Sequence, residues 1–300
     1  MNILSSNDLD REQIEKIFNL ADKIKENKEE LSLKENSILA LFFEKASTRT
    51  RTSFEAAITQ LGGKGIYIDA QTSQLKRGEP ISDIARMLSS YCDFIAARLY
   101  SHSDLVSMAE HSSVPVINAL TDLEHPTQAL VDMYTVLEYK RNPKNVKIAF
   151  VGDIATNTAN SLMITAAKLG ASMVLVGPKG YLPNSTYFNK AKEYGEITFT
   201  DEIEKGMEDV DIIYTDTFVS MGQEGEAEKR RKMFADYQVN SKMLEYANED
   251  VLVMHCLPAH RGEEITGEVI DGPKSIVWEQ AKNKLLIAKA VLLFLSQSNR

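Results

Sequence analysis

Cysteine is almost absent from this sequence, since only Cys92 and Cys256 occur among its 300 residues. Two cysteines so far apart supply neither a disulfide framework nor the paired spacing of a zinc site, so we expect two free thiols. No stretch approaches the roughly 18 consecutive apolar residues of a membrane span. The first residues have neither the basic nor the apolar region of a signal peptide. We therefore expect a soluble, cytoplasmic protein with no membrane partner.

Basic residues are in the minority. The chain has 34 lysines and arginines against 43 acidic residues, a net charge of −9, and its pI is near 5.2. A general nucleic-acid or anionic-membrane partner requires a basic face that displaces counterions, so the charge argues against both. An anionic substrate would have to be captured by a local basic pocket.

The glycine motifs of nucleotide-binding proteins are missing as well. An apolar run ending at Val151 is followed by Gly152 and Asp153, but the second and third glycines of the dinucleotide fingerprint do not follow. Residues 62–65 also miss the P-loop spacing. Asn157 lies where a helix should begin, and it offers either an amide group to a ligand or a helix cap. A dinucleotide-dependent oxidoreductase is therefore disfavoured.

What the sequence does contain is a regular alternation of apolar, strand-like runs with helical periodicity. A chain of this length exceeds the usual size of one domain. We predict an α/β fold of two α/β domains, residues 1–135 and 136–280, each a parallel sheet flanked by helices. The last helix, 281–300, is expected to pack back on the first domain. The predicted strands are residues 38–43, 65–68, 94–99, 114–117, 146–151, 173–176, 211–214 and 251–254.

Residues 47–51, Ser-Thr-Arg-Thr-Arg, follow the first predicted strand and precede an amphipathic segment. The first amides of a helix have no partners inside the helix and lie at its positive end, so a phosphate there gains several hydrogen bonds. Three hydroxyls and two guanidiniums extend this cradle. The alternative is that the arginines form two surface ion pairs, but the position favours binding of a phosphate or phosphate ester.

Polar side chains also follow other predicted strands. Arg98 lies at the end of one. His125 precedes Pro126, which suits the first turn of a helix, so His125 would lie at the helix start. Gln128 lies one turn on and would bind a carbonyl or an amide. Because ligands bind at the carboxyl ends of parallel strands, we expect an active site in the interdomain crevice. For His125 a purely structural cap remains an alternative.

The second half places Asp216 and Cys256 after two further predicted strands. Each has an ordinary structural explanation, because Asp216 would cap a helix and Cys256 would fill a small apolar space. Together, a carboxylate and a thiol at neighbouring strand ends can hold and deprotonate an ammonium, whose amine must be neutral before it attacks.

These residues resemble the motif set of the ornithine carbamoyltransferases, within the aspartate/ornithine carbamoyltransferase family. The resemblance covers essentially the whole chain in order. The first motif and His125 with Gln128 are shared by carbamoyltransferases in general, whereas the Ser220, Met221 loop and Cys256 point to ornithine. The matching segments are residues 43–51, 125–128, Asp216 with 220–222, and 255–258.

The resemblance implies transfer of a carbamoyl group from carbamoyl phosphate to the δ-amine of ornithine, which gives citrulline and phosphate without a metal, a cofactor or a covalent intermediate. It implies that Arg98, His125, Asp216 and Cys256 are catalytic. The residues implied to bind carbamoyl phosphate are Ser47, Thr48, Arg49, Thr50, Gln74, Arg98, His125, Gln128, Cys256, Leu257 and Lys284, and those implied to bind ornithine are Asn157, Asp216, Ser220 and Met221.

Some positions depart from the family pattern. Lys284 stands where the family usually has an arginine, so the charge is kept but the bidentate fork is lost. Thr156 replaces the first of a usual asparagine pair, before Asn157. Gln74 resembles a residue that family members lend to the carbamoyl phosphate site of a neighbouring subunit, which implies a homotrimer or a multiple of trimers.

Two other functions remain open at this stage. A carbamoyltransferase for another amine, such as putrescine, would use the same phosphate turn, but a diamine has no α-carboxylate or α-amine for the Ser220, Met221 loop to bind. A non-catalytic phosphate sensor would need the turn but would have no use for Asp216 or Cys256.

Overall fold

The structure is a computed structural model, and it describes residues 1–27, 31–219 and 224–298. The chain divides into two compact units: Met1–Leu130 with Asn283–Arg300, and Val131–Lys282. These boundaries differ by a few residues from the domains predicted at 1–135 and 136–280.

The first unit is built on a four-stranded parallel sheet with the order β2-β1-β3-β4. Both faces of its inner strands are covered, which explains why β1 is a continuous apolar run. The elements are α1 (Arg11–Lys25), β1 (Ile38–Phe43), α2 (Thr48–Gln60), β2 (Lys64–Asp69), α3 (Ile81–Tyr91), β3 (Phe94–Arg98), α4 (His102–His111), β4 (Val116–Leu120) and α5 (Pro126–Lys140), the last of which continues into the second unit.

Local sequence signals explain the helix starts in this unit. Asp10 and Gln13 form a reciprocal capping box at the start of α1, in which the Asp10 side chain accepts from the Gln13 amide and the Gln13 side chain accepts from the Asp10 amide. Ser101 caps α4 through the Asp104 amide. Because these contacts lie within four residues, they form as soon as the helix does.

The second unit has a five-stranded parallel sheet with the order β7-β6-β5-β8-β9. Its apolar core joins strand residues such as Val151 and Ile213 to side chains of the later helices, such as Val269. The elements are β5 (Lys147–Val151), α6 (Asn157–Leu169), β6 (Ser172–Val176), α7 (Ser185–Lys192), β7 (Ile197–Thr200), α8 (Ile203–Met207), β8 (Ile212–Thr215), α9 (Ala227–Phe234), α10 (Ser241–Leu244), β9 (Leu252–His255) and α11 (Gly267–Ile270). The last helix, α12 (Val277–Ser298), begins in this unit and belongs to the first unit from Asn283 onward.

The eight predicted strands are confirmed, with shifts at their ends. The largest shift is at β4, which begins at Val116 rather than Val114 and extends to Leu120. The reason is Pro115, which has no amide to donate to a ladder. The edge strand β7 was missed, because its residues are of mixed burial and form no apolar run. Among the described helices, none combines the length and the apolar composition that a membrane crossing requires.

Candidate active site

The phosphate turn predicted after β1 has the expected backbone. Ser47 precedes α2 in an extended conformation, and its Oγ accepts a hydrogen bond from the Thr50 amide at 3.3 Å. The first turn of α2 contains no acidic residue. Thr50 is buried, whereas Thr48 and Arg49 are exposed. An anion at this helix start would therefore meet hydroxyls and a guanidinium, with no acidic side chain from that turn to repel it.

Arg51 has partners of its own in the structure, whereas the sequence left open whether it extends the phosphate cradle or forms a surface ion pair. Arg51 Nε lies 3.1 Å from Glu55 Oε1, one turn along the same helix. Its guanidinium also stacks on the Tyr67 ring, 3.5 Å from the ring centroid. Residues four apart face each other on a helix, and a cation is attracted to an aromatic face. The structure thus favours the ion-pair alternative for Arg51, and Arg49 is the arginine that remains for the phosphate.

A second group of polar residues in the first unit consists of Arg98, His125, Gln128 and Lys284. Arg98 is the last residue of β3, and it and His125 are each only 5% exposed. The His125 carbonyl accepts from the amides of Gln128 and Ala129 at 3.0 and 3.2 Å, so His125 lies at the start of α5 as predicted. Lys284, which comes from α12, donates a hydrogen bond from Nζ to Gln128 Oε1. Lys284, the lysine that replaces the family arginine, is thus hydrogen-bonded to Gln128.

The pKa of His125 lies well below its usual range. Burial is the largest cause, and the positive charges of Lys284 and Arg98 add to it. The imidazole is therefore neutral near pH 7 and carries one N–H donor. Such a group can donate a hydrogen bond to a carbonyl oxygen without transferring a proton to it, while Arg98 supplies the nearby positive charge.

The lowered pKa of His125 predicts a loss of stability in mild acid. The unfolded chain binds a proton at this residue below about pH 6.5, whereas the folded chain does not, so the unfolded state binds more protons there. The contribution of the neutral His125 to the free energy of unfolding should be fully present above that pH. At lower pH, the free energy of unfolding should decrease, and His125 alone should contribute a limiting slope of about 1.4 kcal/mol per pH unit.

Denaturant unfolding at a series of pH values from 8 to 5 measures this slope. The control is His125→Asn. It lacks the imidazole but keeps the carboxylates that titrate in the same pH range, so the difference between the two proteins isolates His125. We expect the variant to lose less stability than the wild type as the pH falls below 6.5. Equal slopes in the two proteins would contradict the assignment of a neutral, buried His125.

Gln74 does not join the groups just described. It lies at the start of a short 3-10 segment, Gln74–Arg77, and its side chain is exposed. Its Oε1 accepts a long hydrogen bond from Arg77 Nη1 at 3.4 Å. Within the part of the chain that the structure describes, no hydrogen bond links Gln74 to His125 or Gln128.

In the second unit the structure brings Asp216 and Cys256 together. The strands β8 and β9 are neighbours, and the two residues directly follow them. The Cys256 thiol donates to Asp216 Oδ1 at 3.1 Å, and the Thr217 amide donates to the same oxygen at 2.8 Å. Asp216 is only 6% exposed. The carboxylate and the thiol predicted at neighbouring strand ends are therefore in direct contact.

Leu257 is held in a left-handed conformation, with a φ of 60°, and the peptide bond that follows it is cis. Its amide donates to His255 Nδ1 at 2.8 Å. His255 Nε2 in turn lies 3.0 Å from Glu264 Oε1, and both side chains are fully buried. Because Nδ1 accepts a hydrogen bond, Nε2 carries the ring proton and donates a hydrogen bond to the Glu264 carboxylate. This chain of hydrogen bonds sets the backbone at Cys256 and Leu257.

His255 and Glu264 were not assigned a role from the sequence. The available signal was a histidine directly after a predicted strand and an acidic pair eight and nine residues later. That pattern does not show which of Glu263 and Glu264 is buried. The structure shows that it is Glu264, whose Oε1 also accepts from the His260 amide at 2.6 Å.

Among the residues that the structure describes, two groups of side chains each bring three potential metal-ligand atoms within 4.8 Å of one another. They are Asp216 with His255 and Cys256, and His260 with Glu263 and Glu264. Both ring nitrogens of His255 are engaged, one by Glu264 and one by the Leu257 amide. A metal ion would have to break one of these hydrogen bonds. The absence of a metal from the reaction stays a prediction.

Asn157 opens α6, as expected, but it is not the cap of that helix. The cap is Thr156, whose Oγ1 accepts from the Ala159 amide at 3.2 Å. Asn157 is the first helical residue and is half-buried. Threonine at the position before it therefore takes the capping role that the sequence left open for Asn157.

Ser220 and Met221 lie outside the described residues, so their predicted contact with ornithine stays a prediction. What the structure describes is the chain that leads to them. Arg230 donates from Nε to the Phe218 carbonyl at 2.8 Å, and its guanidinium pairs with the buried Asp153. A Cβ on Gly152, where φ is +102°, would lie 2.7 Å from the Phe218 ring. This close approach explains the glycine at residue 152 without any nucleotide.

Two family models match consecutive parts of the chain. The carbamoyl-P binding domain of aspartate/ornithine carbamoyltransferase matches residues 1–138, and the Asp/Orn binding domain matches residues 144–295.

Curated relatives match at about half of the aligned positions. The ornithine carbamoyltransferase of Pyrococcus abyssi is 50% identical over 268 residues, which covers 88% of this chain and 84% of the relative. That of Thermococcus kodakarensis is 47% identical over 298 residues, covering 97% and 94%.

Solved structures agree with these matches. The ornithine carbamoyltransferase of Pyrococcus furiosus superposes with a TM-score of 0.91 at 46% identity and covers 97% of this chain and 95% of its own. The anabolic ornithine carbamoyltransferase of Campylobacter jejuni has a TM-score of 0.94 at 38% identity, covering 100% and 99%. The family models, the curated relatives and the fold agree, and the chain belongs to the aspartate/ornithine carbamoyltransferase family.

Proposed function

We propose that this protein transfers the carbamoyl group of carbamoyl phosphate to the δ-amine of L-ornithine, with L-citrulline and phosphate as products. The observation that carries the choice of amine is the contact of Asp216 with Cys256, 3.1 Å apart. Aspartate, the other substrate of the family, would bring a second carboxylate, which a buried acidic group repels. A carboxylate beside a thiol suits a cationic amine.

In the first unit, we assign the phosphate of carbamoyl phosphate to the start of α2, with Ser47, Thr48, Arg49 and Thr50. Arg98, His125 and Thr50 take the carbonyl oxygen. Gln128 takes the carbamoyl amide, and Lys284 holds the Gln128 side chain through Oε1. The neutral His125 donates a hydrogen bond and Arg98 adds charge, so that negative charge arising on the carbonyl oxygen meets groups already in place.

In the second unit, we assign the α-amine and α-carboxylate of ornithine to Asn157, Asp216, Ser220 and Met221, and the carbamoyl group to Cys256 and the Leu257 carbonyl. The δ-ammonium must lose a proton before it attacks, and the Asp216 and Cys256 pair is the acceptor. The neutral amine attacks the carbonyl carbon and forms a tetrahedral oxyanion. Collapse expels phosphate, which takes the second proton of the nitrogen as it leaves. The Asp216 and Cys256 pair then releases its proton to solvent, so the enzyme returns to its starting state.

The test is formation of the carbamoylated amine from carbamoyl phosphate, measured with ornithine, for which the product is citrulline, and with putrescine, aspartate or no amine. The variant is Arg49→Ala, and its matched control is Arg51→Ala, two residues away but engaged by Glu55 and Tyr67. Of the three amines, we expect only ornithine to be carbamoylated. Arg49→Ala should lose on the order of 10² in kcat/KM for carbamoyl phosphate, because a charged anchor is removed, and Arg51→Ala should lose much less.

Each other result has a definite meaning. Faster reaction of putrescine would make this protein a diamine carbamoyltransferase and would remove the roles given to Asp216 and Asn157. Binding of carbamoyl phosphate without reaction of any amine would indicate a phosphate sensor. Equal losses in Arg49→Ala and Arg51→Ala would overturn the phosphate assignment to the start of α2.

We also propose that the protein is a cytoplasmic homotrimer or a multiple of trimers, in which Gln74 serves the carbamoyl phosphate site of the neighbouring subunit. The exposure of Gln74 supports this assignment, because a residue lent to another subunit must lie on the surface of its own. Light scattering of the purified protein gives the number of subunits. A monomer would overturn the assignment of Gln74.

A further inference from the structure

The segment of residues 2–6 is attached to the edge of the first sheet next to β4. The Ile3 amide donates to the Val116 carbonyl at 2.9 Å, and the Asn118 amide donates to the Ile3 carbonyl at 2.7 Å, which forms a parallel bridge between Ile3 and Ile117. The Asn118 side chain then donates to the Leu4 carbonyl at 2.7 Å. The segment thus follows β4 toward its carboxyl end, where the loop to His125 begins.

That loop ends in a buried carboxylate whose role the reaction does not explain. Glu124 is 1% exposed and directly precedes His125. Its Oε1 accepts from the Ser5 hydroxyl at 2.5 Å, and its Oε2 accepts from the Ser6 amide at 2.7 Å. A buried carboxylate is costly unless donors satisfy it, and here segment 2–6 supplies a donor to each oxygen.

The backbone of Glu124 is closed into a tight loop by Thr121. The Thr121 amide donates to the Glu124 carbonyl at 2.9 Å, and the Glu124 amide donates to Thr121 Oγ1 at 3.2 Å. The next residue is His125, whose carbonyl starts the hydrogen bonds of α5. A shift of Glu124 therefore moves His125 directly, because only one peptide bond separates them.

We propose that Glu124 is a positioning residue for His125 and that segment 2–6 acts through it to hold the imidazole in place for the carbamoyl group. This inference rests on the proposed role of His125. The segment is hydrogen-bonded to the Glu124 side chain in the loop and to the Asn118 side chain in β4, so it ties the loop to the strand before it. Misplacement of a catalytic group by about 1 Å can cost a hundredfold in rate.

The test compares Glu124→Met, which fills the same space without an acceptor for Ser5 and Ser6, with Glu124→Gln. Glutamine can accept from the Ser6 amide and donate to Ser5 Oγ, so it keeps the attachment without the charge. We expect kcat to fall roughly ten- to a hundredfold in Glu124→Met, with an unchanged KM for ornithine. Glu124→Gln should retain most of the activity.

Two further proteins separate positioning from stability. Ile17→Val removes one methylene from the core side of α1, where Ile17 is fully buried and lies outside both segment 2–6 and the loop that carries Glu124. It should lower stability and leave kcat unchanged. Ser5→Ala removes a single donor, and it should shift kcat in the same direction as Glu124→Met by a smaller factor. It keeps the inference testable if Glu124→Met does not fold.

The ring signals of His125 in an NMR spectrum give a readout that needs no activity. They are assigned by their loss in His125→Asn, and we expect them to shift in Glu124→Met and to stay in place in Ile17→Val. An active wild type with equal kcat in Glu124→Met and Ile17→Val would overturn this inference and leave the proposed function intact. An inactive wild type would overturn the proposed function, and unmoved His125 signals would then overturn the positioning role as well.

Discussion

Replacing Arg98 by methionine is expected to lower kcat by on the order of 10² to 10³, because a preorganised charge at a developing oxyanion contributes about 3 to 4 kcal/mol to the transition state. Arg98 ends β3, is 5% exposed and lies close enough to His125 to lower the pKa of the imidazole. Methionine fills most of the same space without the charge. The substitution should also raise the pKa of His125, since one of the two positive charges that lower it is removed.

Steady-state kinetics with each substrate varied in turn measures the effect of Arg98→Met. The KM for ornithine should stay close to that of the wild type, because Arg98 is assigned to the carbamoyl group. Arg98→Lys is the control, since it keeps the charge but not the planar fork. Its kcat should lie between those of the wild type and Arg98→Met. A loss of activity explained by a smaller folded fraction, measured by denaturant unfolding, would contradict a role for Arg98 in the transition state.

Replacing Asp216 by asparagine should lower kcat/KM for ornithine by on the order of 10², because the lost interaction joins a carboxylate to a substrate cation in a desolvated position. Asparagine has the same shape and can still accept from the Thr217 amide and the Cys256 thiol, so the local fold should survive. It cannot balance the charge of an ammonium or accept a proton from it at neutral pH.

The matched control for Asp216→Asn is Asp211→Asn, on the residue just before the other end of β8. Asp211 Oδ2 accepts from the Lys147 amide at 2.9 Å and Oδ1 accepts from Asn248 at 3.1 Å, so its bonds are structural. We expect Asp211→Asn to change stability but not kcat/KM for ornithine. An Asp216→Asn protein with unaltered ornithine kinetics would show that the amine is held elsewhere.

The strands and the phosphate turn could be predicted because their signals are local. Inner strands of a parallel sheet are buried on both faces, so they appear as unbroken apolar runs such as Ile38–Phe43. The turn at Ser47 and the start of α5 at Pro126 follow from side chains within three residues of the helix start. The strand β7 escaped prediction because its residues are of mixed burial and form no apolar run, unlike the equally short β8 and β9.

The partners of the charged residues could not be predicted in the same way. Arg51 and Arg49 look alike in the sequence, but only Arg51 has a glutamate one turn on and an aromatic ring of β2 beside it. Lys284 reaches Gln128 from 156 positions away. The pairs of Arg230 with Asp153 and of Glu124 with Ser5 join residues 77 and 119 positions apart.

The sequence by itself determined most of the strands and helices, the helix start that is proposed to bind an anion, and the family that the motifs resemble. Only the tertiary structure decided the strand orders, the burial of Glu124 and Glu264, and the residue that each buried charge meets. The physical reason is the distance along the chain over which each interaction acts. Backbone hydrogen bonds in a helix and apolar periodicity act between near neighbours, whereas a buried charge must find a partner on whichever segment folds against it.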